Sequence, residues 1–88
     1  MAEIRKYIID YNRTDIEMPL DSEILSIQNQ HGKMVIWALT EPSKPVEIRT
    51  FIKVLTGFEM NEPSSRYIGT VQFDDGLFVN HLFEIIKR

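Results

Sequence analysis

Apolar and polar residues alternate along most of this chain, and Gly, Pro, Asn and Asp interrupt the alternation at short intervals. A period of two sends successive side chains to opposite faces of an extended backbone, so the pattern predicts short β-strands joined by turns. Ile4 to Tyr11, rich in β-branched and aromatic residues, is the first strand, ended by the turn formers Asn12-Arg13-Thr14-Asp15. Ile16 to Met18 predicts a short second strand cut by Pro19, which has no N–H to give to a ladder, and Leu20-Asp21-Ser22 reads as a turn. The clearest signal follows. Glu23 to Gln30 and Lys33 to Thr40 are strand-like runs separated only by His31-Gly32, and a two-residue loop ending in Gly suits a twisted hairpin.

Within the first arm, strict alternation groups Ile24, Ser26, Gln28 and Gln30 on one face and Leu25, Ile27 and Asn29 on the other. A loop with two prolines, Glu41 to Pro45, leads into Val46 to Leu55. There Val46, Ile48, Thr50, Ile52 and Val54 point one way, while Arg49, Phe51, Lys53 and Leu55 form a basic, partly apolar second face. Thr56-Gly57 breaks the run, Asn61 to Arg66 is a loop, Tyr67 to Phe73 resumes strand character, and Asp74-Asp75-Gly76 reads as a hairpin turn. For Leu77 to Lys87 the alternation and the preceding turn favour a strand, although its Leu, Glu and Lys content permits a helix. The expectation is a mainly β fold: one domain over residues 1–88, built as a small antiparallel barrel or sandwich of six to seven strands.

Composition sharpens this picture in two places. A chain of 88 residues buries only about 60 to 65% of its unfolded surface, and without cysteine it has no disulfide or thiolate-bound metal to reinforce a thin core. An oligomer, either a homodimer or a higher homo-oligomer, is therefore expected. The net charge of −3 argues against broad capture of DNA, so DNA is not expected as a partner. A small anion needs only a few local donors, and Arg49, Lys53, Arg66, Lys87 and Arg88 are available. No apolar run reaches signal-peptide length or the roughly 20 residues of a membrane span, which predicts a cytoplasmic protein with no membrane partner.

Catalytic patterns are sparse. The four glycines are scattered singly, so there is no phosphate loop, and two histidines some fifty residues apart without cysteine make no transition-metal motif. A nucleophile would have to be Ser or Thr activated by His81, with Asp74 or Asp75 orienting the ring, or else His81 is a packed strand residue. Neither an enzyme nor a cofactor is expected. Binding chemistry is better represented. Trp37 is either core packing or a stacking platform, and Tyr7 and Tyr11, four residues apart, share a face if the strand runs through both. The amides of Gln28 and Gln30 can read nucleobase edges or satisfy one another. Thr56-Gly57 beside Lys53, and Arg66-Tyr67 after the loop, pair hydroxyl or aromatic groups with cations and are the expected places for phosphate contacts.

The succession Glu23-Ile-Leu-Ser-Ile-Gln-Asn-Gln30, Trp37-Ala-Leu-Thr40, Thr56-Gly57, Tyr67-Ile-Gly-Thr70 and His81-Leu-Phe-Glu84 resembles a family of small phage proteins over nearly the whole chain. The family more often has Leu before Trp-Ala-Leu, where this chain has Ile36, a second Gly-Thr-Gly where this chain has Leu55-Thr56-Gly57-Phe58, and Trp in place of Asn80. Any stacking role at that last position is lost here. The group is similar to the fourth family of anti-CBASS sponge proteins, which sequester the cyclic dinucleotide signals of bacterial defence enzymes. That resemblance implies a cyclic dinucleotide as ligand and tight binding without turnover, and the small size of the chain suggests a pocket built between two protomers. Bases would stack on Trp37, Tyr67 or Tyr11, Gln28 and Gln30 would read their edges, and Arg49, Lys53 or Arg66 would pair with phosphates. The rival expectation is a protein-binding inhibitor, or a small structural module, acting through strand edges or surface contacts.

Overall fold

The computed structural model describes residues 1–86, so Lys87 and Arg88, two of the expected anion donors, lie outside the described residues. Seven strands occur in chain order: β1 (Glu3–Ile9), β2 (Arg13–Pro19), β3 (Glu23–Gln30), β4 (Lys33–Thr40), β5 (Val46–Leu55), β6 (Ser65–Phe73) and β7 (Phe78–Ile85). They form two antiparallel sheets, ordered β1-β4-β3 and β2-β5-β7-β6, which do not close into a barrel. No helix occurs among the described residues. The last segment is a strand, β7, paired on both sides.

Local chemistry explains most boundaries. His31 and Gly32 both have positive φ, as the two-residue twisted hairpin turn requires. Asn29 reinforces that turn, its Oδ1 accepting from the Gly32 N–H at 2.9 Å. Three expected strand limits are corrected, the last being that β6 begins at Ser65, so that Arg66, expected in the loop, pairs with β7 opposite Glu84. β1 stops at Ile9, because Tyr11 enters a turn closed on the Thr14 hydroxyl, and Tyr7 and Tyr11 therefore do not stand side by side. β2 is longer than Ile16 to Met18: Arg13 to Pro19 all pair with β5, and Pro19 is tolerated because β2 is an edge strand and Pro19 ends it.

The core lies between the sheets. The first sheet contributes Ile9, Met34 and Ile36 and the second Ile16, Met18, Phe51, Val71 and Leu82, with Tyr7, Ile24, Ile27, Ile68 and Phe73 packed around them. The inward side of β5 is the Arg49 and Phe51 face. Phe51 is fully buried, whereas Val46 is 63% exposed on the opposite side. The register decides this, since Arg49 lies opposite Ile16 and Lys53 opposite Leu82, and cross-strand partners share a face.

Two bulges alter the alternation. In β3 the pairing passes from Ile24 opposite Ala38 to Ser26 opposite Trp37, leaving Leu25 as the extra residue. Ile24 and Ile27 consequently both pack on the core, while Ser26 and Gln28 face away, so Ile24 does not share a face with them. In β6 the pairing passes from Tyr67 opposite Phe83 to Gly69 opposite Leu82, and Ile68 is the extra residue.

The edge strands β3 and β6 meet over only part of their length. Asn29 Nδ2 donates to the Gln72 carbonyl at 3.1 Å, and Ile27 seats against the bare backbone of Gly69. A Cβ on Gly69 would collide with the Ile27 side chain, which is β-branched and stiff at χ1. Gly69→Ala is expected to destabilise the protein by about 1 to 3 kcal/mol as overpacking, measured by urea unfolding. The double variant Gly69→Ala, Ile27→Ala should cost less than the sum of the single changes, and strict additivity would refute this seam.

Candidate functional site

Strand β4 puts Met34, Ile36, Ala38 and Thr40 inward, and period two then sends Val35, Trp37 and Leu39 to the outer face of the three-stranded sheet. Trp37 is half-buried there and does not belong to the core between the sheets. Its Nε1–H donates to Gln28 Oε1 at 3.2 Å from the neighbouring strand. From the other neighbour, Lys6 lies with its ammonium 5.9 Å from the ring centroid and donates to Gln30 Oε1 at 2.8 Å. Trp37, Gln28 and Gln30 thus form one cluster with Lys6, which joins because it is directly opposite Trp37 in the ladder. Around this polar and aromatic centre, Ile4, Ile8 and Leu39 are exposed apolar residues on the same face.

Arg49, Arg66 and Tyr67 gather elsewhere. Beyond the Ile27–Gly69 contact the edges of β3 and β6 part, and an open cleft of about 690 Å³ lies between them, lined by residues of β3, β5, β6, β7 and the β2–β3 turn. At its base Arg49 makes a bidentate pair with Glu84: Nε donates to Oε2 at 2.6 Å and Nη2 to Oε1 at 2.8 Å. Arg49 also donates from Nη1 to the Ser22 carbonyl, and Arg66 Nη2 donates to Glu84 Oε1 at 2.9 Å. The Arg49 and Glu84 side chains are 10% and 8% exposed, whereas Arg66 is 59% exposed at the mouth. Burial pushes the Glu84 carboxyl up, but the hydrogen bonds and charges of Arg49 and Arg66 outweigh it and hold Glu84 below the usual carboxylate range. The same pairing raises the Arg49 guanidinium above its ordinary value. The charge of Arg49 is therefore already matched within the fold. Among the described residues, carboxylates outnumber cations in the lining, with Asp21, Glu23, Glu47 and Glu84 against Arg49 and Arg66.

The remaining candidates are dispersed. Lys53 lines a smaller hollow of about 360 Å³ at another part of the sandwich, with Lys33, Asp10, Phe73, Phe78 and Asn80. Tyr11 is 72% exposed in its turn. Thr56 enters a hydrogen-bonded chain on the outer face of the four-stranded sheet. Tyr67 Oη lies by Thr70 Oγ1, Thr70 Oγ1 is 2.9 Å from His81 Nδ1, and His81 Nε2 is 2.7 Å from Thr56 Oγ1. The Thr56 hydroxyl also lies 3.1 Å from the Val79 carbonyl. Neither Asp74 nor Asp75 bonds to His81; its Nδ1 faces Thr70.

Sequence reasoning missed Lys6, Glu23, Glu47 and Glu84 as members of these clusters. Each belongs through a cross-strand or cross-sheet neighbour, which alternation along a single strand does not register. The arrangement defines a two-sheet antiparallel β domain with an aromatic and amide face on one sheet and a charged cleft at the seam. The chain belongs to the family described as Domain of unknown function (DUF7352), which it matches over residues 1–88. No curated protein and no solved structure matches it.

Replacing Glu84 by Gln leaves Arg49 nearly buried without its countercharge, and Glu84→Gln is expected to lose about 3 kcal/mol at neutral pH. The contribution has a defined pH window. A carboxyl depressed in the folded state stabilises fully above its unfolded value of about 4.3 and loses that contribution as the pH falls through the lower folded value. Urea unfolding of both proteins across the acid range should show their stabilities converging below about pH 4. A gap that stays constant into strong acid would contradict the assignment.

Proposed function

We propose that this protein binds a cyclic dinucleotide, or a related cyclic oligonucleotide, and holds it uncleaved, acting as a phage-encoded anti-CBASS sponge in the cytoplasm of the infected cell. The observation that carries the reading is the position of Trp37, whose indole sits on an outer sheet face beside Gln28, Gln30 and Lys6 and outside the core. An aromatic platform contributes roughly 1 to 3 kcal/mol per stacked base, amides match base edges, and an ammonium over the ring is placed for a phosphate. The cleft is less suited to a phosphodiester, because Arg49 is committed to Glu84 and carboxylates prevail in the lining.

Retention without turnover is supported by the surroundings of His81, whose Nδ1 faces the Thr70 hydroxyl at 2.9 Å, where a ring that activates a nucleophile would be oriented by a carboxylate. A sheet face encloses only one side of a ligand, whereas small-molecule sites bury roughly 70 to 90% of theirs. We therefore place a second protomer over the ligand as a homodimer, whose two-fold axis would match that of a cyclic dinucleotide with identical halves.

Trp37 is the only tryptophan, so its fluorescence reports this face alone. Titration with cyclic di-GMP, cyclic di-AMP and the mixed dinucleotide should quench it saturably, with intact ligand recovered on heating and a dimer seen by light scattering. Trp37→Ala should weaken binding, followed by calorimetry, by about 5- to 150-fold. Absence of any saturable quench would dismiss the nucleotide, and recovery of linear products would make the protein an enzyme.

A further inference from the structure

The cleft at the seam has chemistry of its own, unlike that of the Trp37 face. Both strands that border it, β3 and β6, are the outermost strands of their sheets, so each turns one row of main-chain groups away from its own ladder. The seam is closed where Ile27 meets Gly69 and Asn29 meets Gln72, and it opens along Glu23 to Ser26 and Arg66 to Ile68. Both bulges fall in the open part, at Leu25 on one side and Ile68 on the other. A bulge bends an edge and interrupts its ladder, which here separates the two strands just where the cleft lies.

The walls combine two characters. Ile24, Leu25, Ile68 and Ile85 are apolar, with Leu25 44% exposed. Among the described residues the lining is unbalanced in the acidic direction. Arg49 and Arg66 are both engaged by Glu84, and Asp21 faces Lys44 at 3.5 Å, while Glu23 and Glu47 have no cation in an ion pair among the described residues, Glu47 Oε2 accepting only from the Asp21 N–H at 3.2 Å. A phosphate would meet these carboxylates unfavourably. An extended chain with alternating aliphatic and cationic side chains would pair its backbone with a strand edge, place alternate side chains on the isoleucines and leucine, and bring its ammonium groups to Glu23 and Glu47.

We propose that the cleft between β3 and β6 receives an extended, lysine-bearing peptide segment of a partner protein, added as a strand to one of the two edges. This goes beyond the nucleotide reading and uses a different face, so either can fail without the other. The probe is the hexapeptide Lys-Val-Lys-Val-Lys-Val, titrated into the full chain labelled with 15N, alongside Glu-Val-Glu-Val-Glu-Val and a copy of the basic peptide N-methylated at alternate amides. The basic peptide should shift the amide resonances of residues 23–26 and 65–68 saturably, and the acidic peptide should leave them unmoved. N-methylation, which removes main-chain donors, and the charge-reversed protein Glu23→Lys, Glu47→Lys should each weaken binding about tenfold or more. The spectrum of that variant reports at the same time whether it is folded. No saturable shift, a shift mapping to another face, equal binding of the acidic peptide, or indifference to N-methylation would each overturn the proposal. A shift that instead follows protein concentration and a rise in mass by light scattering would assign the cleft to a second copy of this chain and equally overturn it.

Discussion

Ile27 resting on Gly69 is the contact on which the architecture turns. Two sheets of three and four strands face each other across one core, and at this seam their edge strands β3 and β6 come together. Gly69 permits the approach because it has no Cβ, and Ile27 occupies the space so left. With the seam pinned at this level, the bulges at Leu25 and Ile68 splay the remainder of both strands, and the cleft is the space that results. The same closure sets which side of β4 faces the other sheet, and so sends Trp37 outward.

The Arg49–Glu84 pair solves a problem that this closure creates. Arg49 and Phe51 share the inward face of β5, so burying Phe51 draws a guanidinium toward the interior. A nearly buried unpaired cation would be costly, and Glu84 on the adjacent strand, tied also to Arg66, matches it with two parallel hydrogen bonds. The pair fixes the polar end of the core without being evidence of net stabilisation, since burying both ions carries its own desolvation cost.

Much of the fold was legible in the chain. The His31-Gly32 hairpin, the strand at Val46 to Leu55, the Asp74-Asp75-Gly76 turn and the strand character of the final segment all follow from turn chemistry and alternation. The misreadings have identifiable causes. Strict alternation has no means of registering an extra residue, so the bulge at Leu25 moved Ile24 to the face of Ile27 unannounced. On β5 both faces carry large apolar residues, and only the neighbours Ile16 and Leu82 decide which is inward. Of the candidate ligand residues, Gln28, Gln30 and Trp37 converge because a local hairpin joins them. Lys53 and Thr56 disperse because their positions depend on pairings between distant strands, and Tyr11 because β1 ends before it in a turn closed on Thr14.

The order of strands also bears on how the chain reaches its fold. The sheet of β1, β4 and β3 and the sheet of β2, β5, β7 and β6 are interleaved along the chain, which passes from one to the other between β1 and β2, between β2 and β3, and between β4 and β5. β1 finds its partner only after β4 has been synthesised, with Glu3 pairing Thr40, and β2 waits for β5, with Arg13 pairing Ile52. Such long loop closures slow folding and postpone burial of the core until most of the chain is present. A fragment ending before β5 would hold β2 without its ladder partner and leave Met18 and Ile16 without the neighbours that bury them, so the core between the sheets closes only once β5 is available.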